Sequence, residues 1–187
     1  MEALLQSLSS IHPMSCGLTD YLEKSLKKKS VAKREYLLTA GKVADHIYFI
    51  SEGLLRGYYL KDNAEVSTWF MREGDVCLSI ESFFKRQPSH DFIQAMEPAT
   101  MHYISYAELQ HVYQAYPEFN FISRVLTEKY YRLSEERLYM LRMQSGKERY
   151  EYLLNHYPEL VRRVPQKYLA SYLDMTEVAL CKIRGKK

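Results

Sequence analysis

The sequence predicts an α+β protein in which a block of short strands lies between two helical regions. Residues 31–107 contain short runs with strand character, separated by turn signals such as Ser51-Glu52-Gly53 and Arg72-Glu73-Gly74-Asp75. Residues 1–30 and 106–187 instead place apolar side chains at three- and four-residue spacing, as helices do. Many short strands with closely spaced turns are typical of a β-sandwich or a small barrel.

The boundaries of these segments follow from breaker residues and from the period of the pattern. Pro13 and Gly17 divide the first helical region, and Leu78–Phe84 predicts a short helical turn within the strands. After the strands, a helix over Tyr106–Tyr116 is expected to end at Pro117. The predicted strands include Glu35–Thr39, Ile47–Ser51, Leu54–Leu60, Val66–Met71, Phe92–Glu97 and Thr100–Ser105.

The composition excludes several classes of protein. With 187 residues, of which 47% are hydrophobic, the chain can form a medium-sized domain and a smaller one. Cys16, Cys77 and Cys181 form no CxxC pair, so neither a zinc knuckle nor an iron–sulfur cluster is encoded and reduced thiols are expected. No apolar run approaches the length of a membrane span and no secretion signal is visible. We therefore expect a cytoplasmic protein with no membrane partner.

The net charge of +3 is unevenly distributed along the chain. Residues 142–187 contain ten Lys and Arg against five Asp and Glu, a net charge of +5. Residues 1–141 contain sixteen against eighteen, a net charge of −2. A basic C-terminal part favours contact with a polyanion such as nucleic acid.

A long helix, expected from about Glu118 to Gln144, carries a seven-residue apolar repeat. Such a seam favours pairing with a second copy of the chain. An amphipathic helix packed on its own β domain is the alternative. The predicted homodimer interface comprises Phe119, Ile122, Leu126, Leu133 and Met140.

The last segment predicts two short helices joined by a tight turn. The first extends from Gln166 to Leu173, Asp174 occupies the turn, and Thr176 is the N-cap of the second helix. The first half of the second helix then presents outward the side chains that enter a major groove in helix-turn-helix proteins, namely Glu177, Val178, Cys181 and Lys182. The cations placed to reach phosphates are Lys167, Arg184, Lys186 and Lys187. A small helical cap with a solvated basic end is the alternative.

The turn at residues 72–75 joins a strand to a short helix and is a candidate ligand site. A glycine at such a junction, here Gly74, lets the backbone approach a ligand, and a helix N-terminus favours anions. Asp75 can accept a hydrogen bond from a ligand hydroxyl. A tight turn that only starts a helix explains the same residues equally well.

Taken together, these segments resemble the Crp/Fnr family of bacterial regulators over nearly the whole chain. The stretches that carry the resemblance are Ile47–Tyr59, Gly74–Val76, Gly146–Tyr150, Tyr157–Leu160 and, most strongly, Arg163–Leu173. The likeness is to a short branch of the family that ends just after the recognition helix. It implies N-terminal helices, a jelly-roll-like antiparallel β-roll of the cyclic-nucleotide-binding type, a long dimerisation helix and a C-terminal helix-turn-helix.

The resemblance divides the chain into a sensor domain over residues 1–117, a dimerisation or linker helix over residues 118–144 and a DNA-binding domain over residues 145–187. It also implies an effector pocket that contains Gly74, Asp75, Ser89 and His90. Here Asp75 stands in place of the family's Glu, and Pro88-Ser89-His90-Asp91 stands where cAMP-binding members place an arginine against the cyclic phosphate.

These departures from the family pattern change the expected ligand. The phosphate-pairing arginine is absent and Asp91 would repel an anion, so we do not expect cAMP to bind. Lys85 and Arg86 are the nearby cations that would have to substitute. The cysteine cluster of the oxygen-sensing branch is also absent.

The second helix of the C-terminal pair departs from the family as well. Val178 replaces the base-reading Glu, Lys182 replaces the following Arg, and Asp174 replaces the glycine of the turn. An apolar Val178 is suited to contact a thymine methyl group. The departures imply either a different operator or a domain that no longer reads DNA.

The sequence therefore predicts a sequence-specific DNA-binding transcription regulator with a degenerate effector pocket. The alternative is a ligand- or protein-binding β-roll module with a relict helix-turn-helix. A cupin-type enzyme is disfavoured, because its metal site needs clustered ligands and the isolated histidines include His46, His90, His102 and His111. No GxSxG motif occurs either.

We accordingly predict no catalytic residue, no metal and no cofactor. The expected partners are double-stranded DNA and a second copy of the chain. The interpretation also allows an unidentified small-molecule effector and RNA polymerase as partners.

Overall fold

The computed structural model describes residues 1–185, and the structural statements below concern that part of the chain. The helices are α1 Glu2–Ile11, α2 Cys16–Ser25, α3 Ile80–Lys85, α4 Tyr106–Ala115, α5 Pro117–Met143, α6 Gly146–His156, α7 Pro158–Arg163, α8 Gln166–Tyr172 and α9 Glu177–Arg184. The strands are β1 Lys27–Val31, β2 Tyr36–Leu38, β3 His46–Glu52, β4 Leu55–Lys61, β5 Ala64–Met71, β6 Val76–Cys77, β7 Phe92–Ala95 and β8 Ala99–Ser105.

The strands form two four-stranded sheets with the orders β1-β8-β3-β6 and β2-β7-β4-β5. The pairs β1–β8, β3–β8, β3–β6 and β2–β7 are antiparallel. Asp62 and Asn63 form the turn between β4 and β5 with φ of +50° and +62°, which short polar side chains tolerate best after glycine. The prediction of an α+β fold with antiparallel sheets and a long helix is confirmed.

The prediction that residues 1–30 are helical is wrong at its C-terminal end. Lys27–Val31 form strand β1, which lies at the edge of its sheet and pairs with β8. The sequence Lys-Lys-Lys-Ser-Val has no polar–apolar alternation to indicate a strand. Lysines suit a sheet edge because their charge opposes pairing with another chain.

The chain divides into two compact units. The first contains Met1–Arg56 and Met71–Lys129, and the second contains Gly57–Phe70 together with the chain from Tyr130 onward. The first unit has a core of fully buried side chains that includes Leu18, Ile50, Phe83, Met101, Val112 and Ile122. In the second unit the corresponding side chains are Leu169, Leu173 and Leu180. The second unit therefore combines the β4–β5 hairpin with the C-terminal helices.

Candidate nucleic-acid interface and effector site

Helices α8 and α9 form a pair joined by a turn. Asp174 in the turn has φ of +52°, and the hydroxyl of Thr176 accepts a hydrogen bond of 3.1 Å from the backbone N–H of Ala179. The predicted left-handed residue and the predicted N-cap are thus confirmed. The backbone N–H of Met175 also donates to the carbonyl of Ala170 at 3.0 Å, which closes the turn onto α8.

The pair packs through small and apolar side chains. Leu169, Leu173 and Leu180 have no exposed surface, and Ala170 is 1% exposed. Since Ala170 carries only a methyl group, the two helices can approach closely there. Burial of these side chains fixes which face of α9 turns outward.

The outward face of α9 carries the side chains that the sequence singles out. Val178 is 64% exposed, and the other exposed side chains at or next to this face are Thr176, Glu177, Cys181, Lys182 and Arg184. Lys167 at the start of α8 is exposed too, with its ammonium 5.6 Å from the ring of Tyr168. Lys186 and Lys187 lie outside the described residues. Glu177 in the first turn and cations in the last turn both complement the helix dipole.

Arg149 on α6 supports the turn between the two helices. Its guanidinium donates to the carbonyl of Asp174 at 3.1 Å and to the carbonyl of Gln144, just beyond the end of α5, at 2.8 Å. One side chain thus connects the turn to the C-terminal end of the long helix. The sequence pattern gives no signal for this role, because both acceptors are backbone groups and the Asp174 carbonyl is 25 residues away.

Arg137 on α5 holds the end of α8. Its guanidinium lies 3.6 Å from the ring centroid of Tyr172 and donates to the Tyr172 carbonyl at 2.9 Å. Burial lowers the pKa of Arg137 and raises the pKa of Tyr172. The heptad pattern places Arg137 on the long helix but does not reveal this contact.

The β4–β5 hairpin is hydrogen-bonded to α8 through Ser171. β5 is the edge strand of its sheet, and the Ser171 hydroxyl accepts from the Ser67 N–H at 2.9 Å and donates to the Glu65 carbonyl at 2.9 Å. The rings of Phe70 and Tyr172 lie 5.1 Å apart beside it. Ser171 therefore takes the place of a neighbouring strand on part of the β5 edge.

Gly74 and Asp75 form a well-defined turn in the first unit. Gly74 has φ of +82°, which only glycine adopts at no steric cost. The Asp75 carboxylate accepts from the backbone N–H of Arg72 at 3.0 Å, so it stabilises its own turn. Burial raises the pKa of Asp75.

Ser89 belongs to a buried polar cluster that the sequence does not reveal. Ser79 is 2% exposed and Ser89 is 4% exposed, and their hydroxyl oxygens lie 2.9 Å apart. The Ser79 hydroxyl donates to the Asp91 carboxylate, and the Asp91 N–H donates to the Ser89 hydroxyl at 2.8 Å. His90 is exposed beside this cluster.

The two basic side chains that would have to replace the missing arginine have other partners. Lys85 forms an ion pair with Glu81 at 2.8 Å. Arg86 forms an ion pair with Asp45, donates to the carbonyl of Ala44 at 2.7 Å and lies 4.5 Å from the ring centroid of Tyr106. Both are therefore engaged in contacts that do not involve Ser89.

The predicted dimer interface needs a correction. Phe119, Ile122 and Met140 are 8%, 0% and 6% exposed, so they are buried within the chain itself and are not available to a second copy. Leu126 and Leu133 are half-buried. The heptad period cannot distinguish a seam that packs inside the chain from one that faces a partner. The exposed apolar side chains of α5 are Phe121, Tyr131, Leu138, Tyr139 and Met143.

Two general features of the described chain bear on function. Among residues 1–185 no group of three or more His, Cys, Asp or Glu side chains is placed to hold a metal ion. Over the same residues no helix is long and apolar enough to cross a membrane.

Comparison with known protein families gave one match, which covers most of the strands. Residues 28–116 match the sequence model of the cyclic nucleotide-binding domain family. A comparison with curated proteins gave no match.

Solved structures match over most of the chain. A CooA mutant from Carboxydothermus hydrogenoformans is 17% identical, with 92% of this chain and 78% of that chain covered and a TM-score of 0.70. FixK2 from Bradyrhizobium japonicum is 16% identical, with 86% and 83% covered and a TM-score of 0.70. The c-di-GMP-responsive global regulator CLP from Xanthomonas campestris is 15% identical, with 92% and 91% covered and a TM-score of 0.73. Residues 28–116 are thus similar to the cyclic nucleotide-binding domain, and the fold of the chain resembles that of these three structures.

Proposed function

We propose that this protein is a sequence-specific DNA-binding transcription regulator of the Crp/Fnr type with a degenerate effector pocket. The exposed first half of α9 carries this proposal: its N-cap is formed, Leu180 is buried behind it, and Val178, Cys181 and Lys182 face outward. A helix held in this way, with its N-terminal half exposed, suits insertion into a major groove. In this proposal the sensor domain covers residues 1–117, the linker helix 118–144 and the helix-turn-helix domain 145–187.

Each exposed residue of the pair has an expected role on DNA. Lys182 lies one turn after Val178 on the same face, so its ammonium can donate to guanine while Val178 contacts a thymine methyl group. Glu177, Cys181 and the Thr176 N-cap border the same base pairs. Lys167 and Arg184 bind phosphates, which supply affinity but no sequence information.

The proposed regulator is a homodimer. The exposed apolar side of α5, which includes Tyr131, Leu138 and Tyr139, supports this state because exposed clusters of large apolar side chains mark interaction surfaces. A two-fold dimer would place its two α9 helices on half-sites about 34 Å apart. If the regulator acts as an activator, RNA polymerase is a further partner.

The effector pocket of Gly74, Asp75, Ser89 and His90 is proposed not to bind cAMP tightly. Ser89 is buried and hydrogen-bonded inside the protein, and Arg86 is paired with Asp45. Loss of a charge-assisted contact to the cyclic phosphate costs about 1.5–3 kcal/mol. Calorimetry with cAMP and cGMP tests this expectation, and a submicromolar dissociation constant for either would contradict it.

Selection from a random duplex library tests the function as a whole. The wild-type chain should enrich one two-fold motif, with an affinity that falls steeply as salt increases. Lys182→Ala should change the preferred base at one position in each half-site, by about 1–3 kcal/mol of discrimination. Lys167→Ala should keep the motif, weaken binding to all sequences and lower the salt slope by about one.

Lys147→Ala provides a control, since it removes the same charge from an exposed position on α6, where Lys147 pairs with Glu151 at 3.6 Å. It should leave both the motif and the salt slope unchanged. If the wild type enriches no motif and binds without salt dependence, the regulator interpretation fails. The β-roll module with a relict helix pair is then the better interpretation.

A further inference from the structure

The buried cluster around Asp91 forms a closed ring of hydrogen bonds. A carboxylate can only accept, so the single hydroxyl proton of Ser79 points to Asp91. Ser89 then donates to Ser79, which at 2.9 Å is nearer than its other acceptor, the Asp91 carbonyl at 3.4 Å, and the Asp91 N–H donates to Ser89 at 2.8 Å. Each donor in the ring therefore has an acceptor inside it.

The ring connects two segments of the first unit, and the backbone of Ser89 binds a third. Ser79 directly precedes α3, whereas Ser89 and Asp91 lie between α3 and β7. Ser89 is also held through its backbone, which donates to the carbonyl of Lys42 at 2.9 Å and accepts from the N–H of Gly41 at 2.8 Å. Loss of the ring would therefore loosen the start of α3 and its two neighbouring loops together.

Two carboxylates lie near the buried Cys77 thiol in this region. Burial raises the pKa of the Cys77 thiol, and the nearby carboxylates of Asp75 and Asp91 raise it further. An anion that entered here would meet two carboxylates and serine hydroxyls that are already engaged. A fixed carboxylate supplies the same chemistry as a bound oxyanion, namely a negatively charged acceptor for hydroxyl and N–H donors.

We propose that the Asp91 carboxylate is a built-in substitute for an anionic effector, which holds the β-roll in one conformation without a ligand. The inference rests on the proposed function, because its consequence is DNA binding that is independent of cyclic nucleotides. The proposed function says only that the pocket does not bind cAMP tightly. Here the Asp91 carboxylate in addition accepts the hydrogen bonds that the anionic group of a ligand would accept.

The test removes the carboxylate and supplies a small anion in its place. Asp91→Ala should bind the selected duplex at least about tenfold more weakly than the wild type and unfold at a lower temperature. Addition of formate, whose carboxylate fits the space that the substitution opens, should restore several-fold of the DNA affinity and raise the unfolding temperature. Chloride at the same ionic strength serves as the reference, because salt alone weakens DNA binding. The wild type should bind equally with and without cAMP or cGMP.

Asp20→Ala is the matched control, because Asp20 is an exposed aspartate on α2 of the same unit. It should behave as the wild type and show no formate effect. If Asp91→Ala does not fold, Asp91→Asn provides the second variant, which keeps the shape and one acceptor but removes the charge.

The outcomes separate this inference from the proposed function. Wild-type affinity in both Asp91 variants overturns the inference, and so does a formate effect no larger than that of chloride. A wild type that binds no duplex overturns the proposed function instead. The formate-dependent change in unfolding temperature then still decides whether Asp91 acts as an internal anion.

Discussion

Replacement of Ser171 by alanine should detach the β4–β5 hairpin from α8. The hydroxyl of Ser171 satisfies two backbone groups of the β5 edge, the N–H of Ser67 and the carbonyl of Glu65, each at 2.9 Å. Alanine removes both hydrogen bonds without a steric clash. The variant therefore measures what this one hydroxyl contributes to the second unit.

The expected destabilisation follows from the burial of the two backbone groups. Ser67 is 1% exposed, so its N–H would lose this acceptor in a place that water reaches poorly, at a cost of about 1–3 kcal/mol. Glu65 is half-buried, and the loss at its carbonyl is about 0.5–1.5 kcal/mol. Alanine regains up to about 0.5 kcal/mol in helix propensity. From the middle of each range, the net loss in the free energy of unfolding should be about 2–3 kcal/mol.

Urea denaturation followed by tryptophan fluorescence suits this measurement. Trp69 is the single tryptophan of the chain and lies on β5, two residues after Ser67. At a slope of about 2 kcal/mol/M, the expected loss lowers the urea midpoint by about 1–1.5 M. Ser134→Ala is the control, since its hydroxyl donates to the Tyr130 carbonyl within the exposed surface of α5. The control should change stability by less than about 0.5 kcal/mol.

A midpoint for Ser171→Ala equal to that of Ser134→Ala would refute this reasoning. It would mean that water replaces the hydroxyl at the β5 edge at no cost. A lower midpoint with a changed slope would instead indicate that the hairpin and the helices no longer unfold together.

Two further predictions concern assembly and pH. Tyr131 and Leu138 lie seven residues apart on α5 and are 68% and 44% exposed, and a variant with lysine at both positions should sediment as a monomer. The control Leu60→Lys, on the hairpin, should remain a dimer. A wild type that sediments as a monomer would contradict this interface. Burial lowers the pKa of His46 and of His102 below the ordinary value of 6.5, so the unfolded chain binds a proton at these side chains more readily than the folded chain does. The free energy of unfolding should therefore be highest above pH 6.5 and should fall as the pH drops below that value. Urea midpoints measured between about pH 7.5 and about pH 5.5 should show this loss of stability. His102→Gln should reduce the loss, whereas His90→Gln, at an exposed position, should not. An equal loss in the wild type and in both variants would exclude His102 as a cause of the pH dependence.

Local chemistry explains which parts of the site are predictable from the sequence. Thr176 is an N-cap and Asp174 is a left-handed turn residue because of interactions within a few residues, and the structure contains both. The strand bounds follow from alternation and turn signals in the same way. Strand β1 cannot be predicted in this way, because Lys27–Val31 is extended through its pairing with β8. That strand is more than 60 residues away in the sequence, as the pair Lys27 and Tyr103 shows.

Long-range contacts explain what the sequence could not predict. Arg149, Arg137 and Ser171 each bind at least one backbone group that is 25 or more residues away, and backbone acceptors leave no signature in a sequence. The heptad on α5 shows a different limit. Its period is real, but Ile122 is buried inside the chain, so the repeat alone does not reveal what covers it.

The contacts of Ser171 and Arg137 also determine how the helix pair can be oriented. Ser171 attaches α8 to the β5 edge, and Arg137 attaches the end of α8 to α5. The hairpin consists of strands β4 and β5, so a shift of these strands must either break the two Ser171 hydrogen bonds or move α8 with them. Because α9 packs on α8 through buried leucines, any such movement reaches the proposed DNA-reading face. Within the second unit, the orientation of α9 relative to the hairpin is therefore set by contacts of the protein itself.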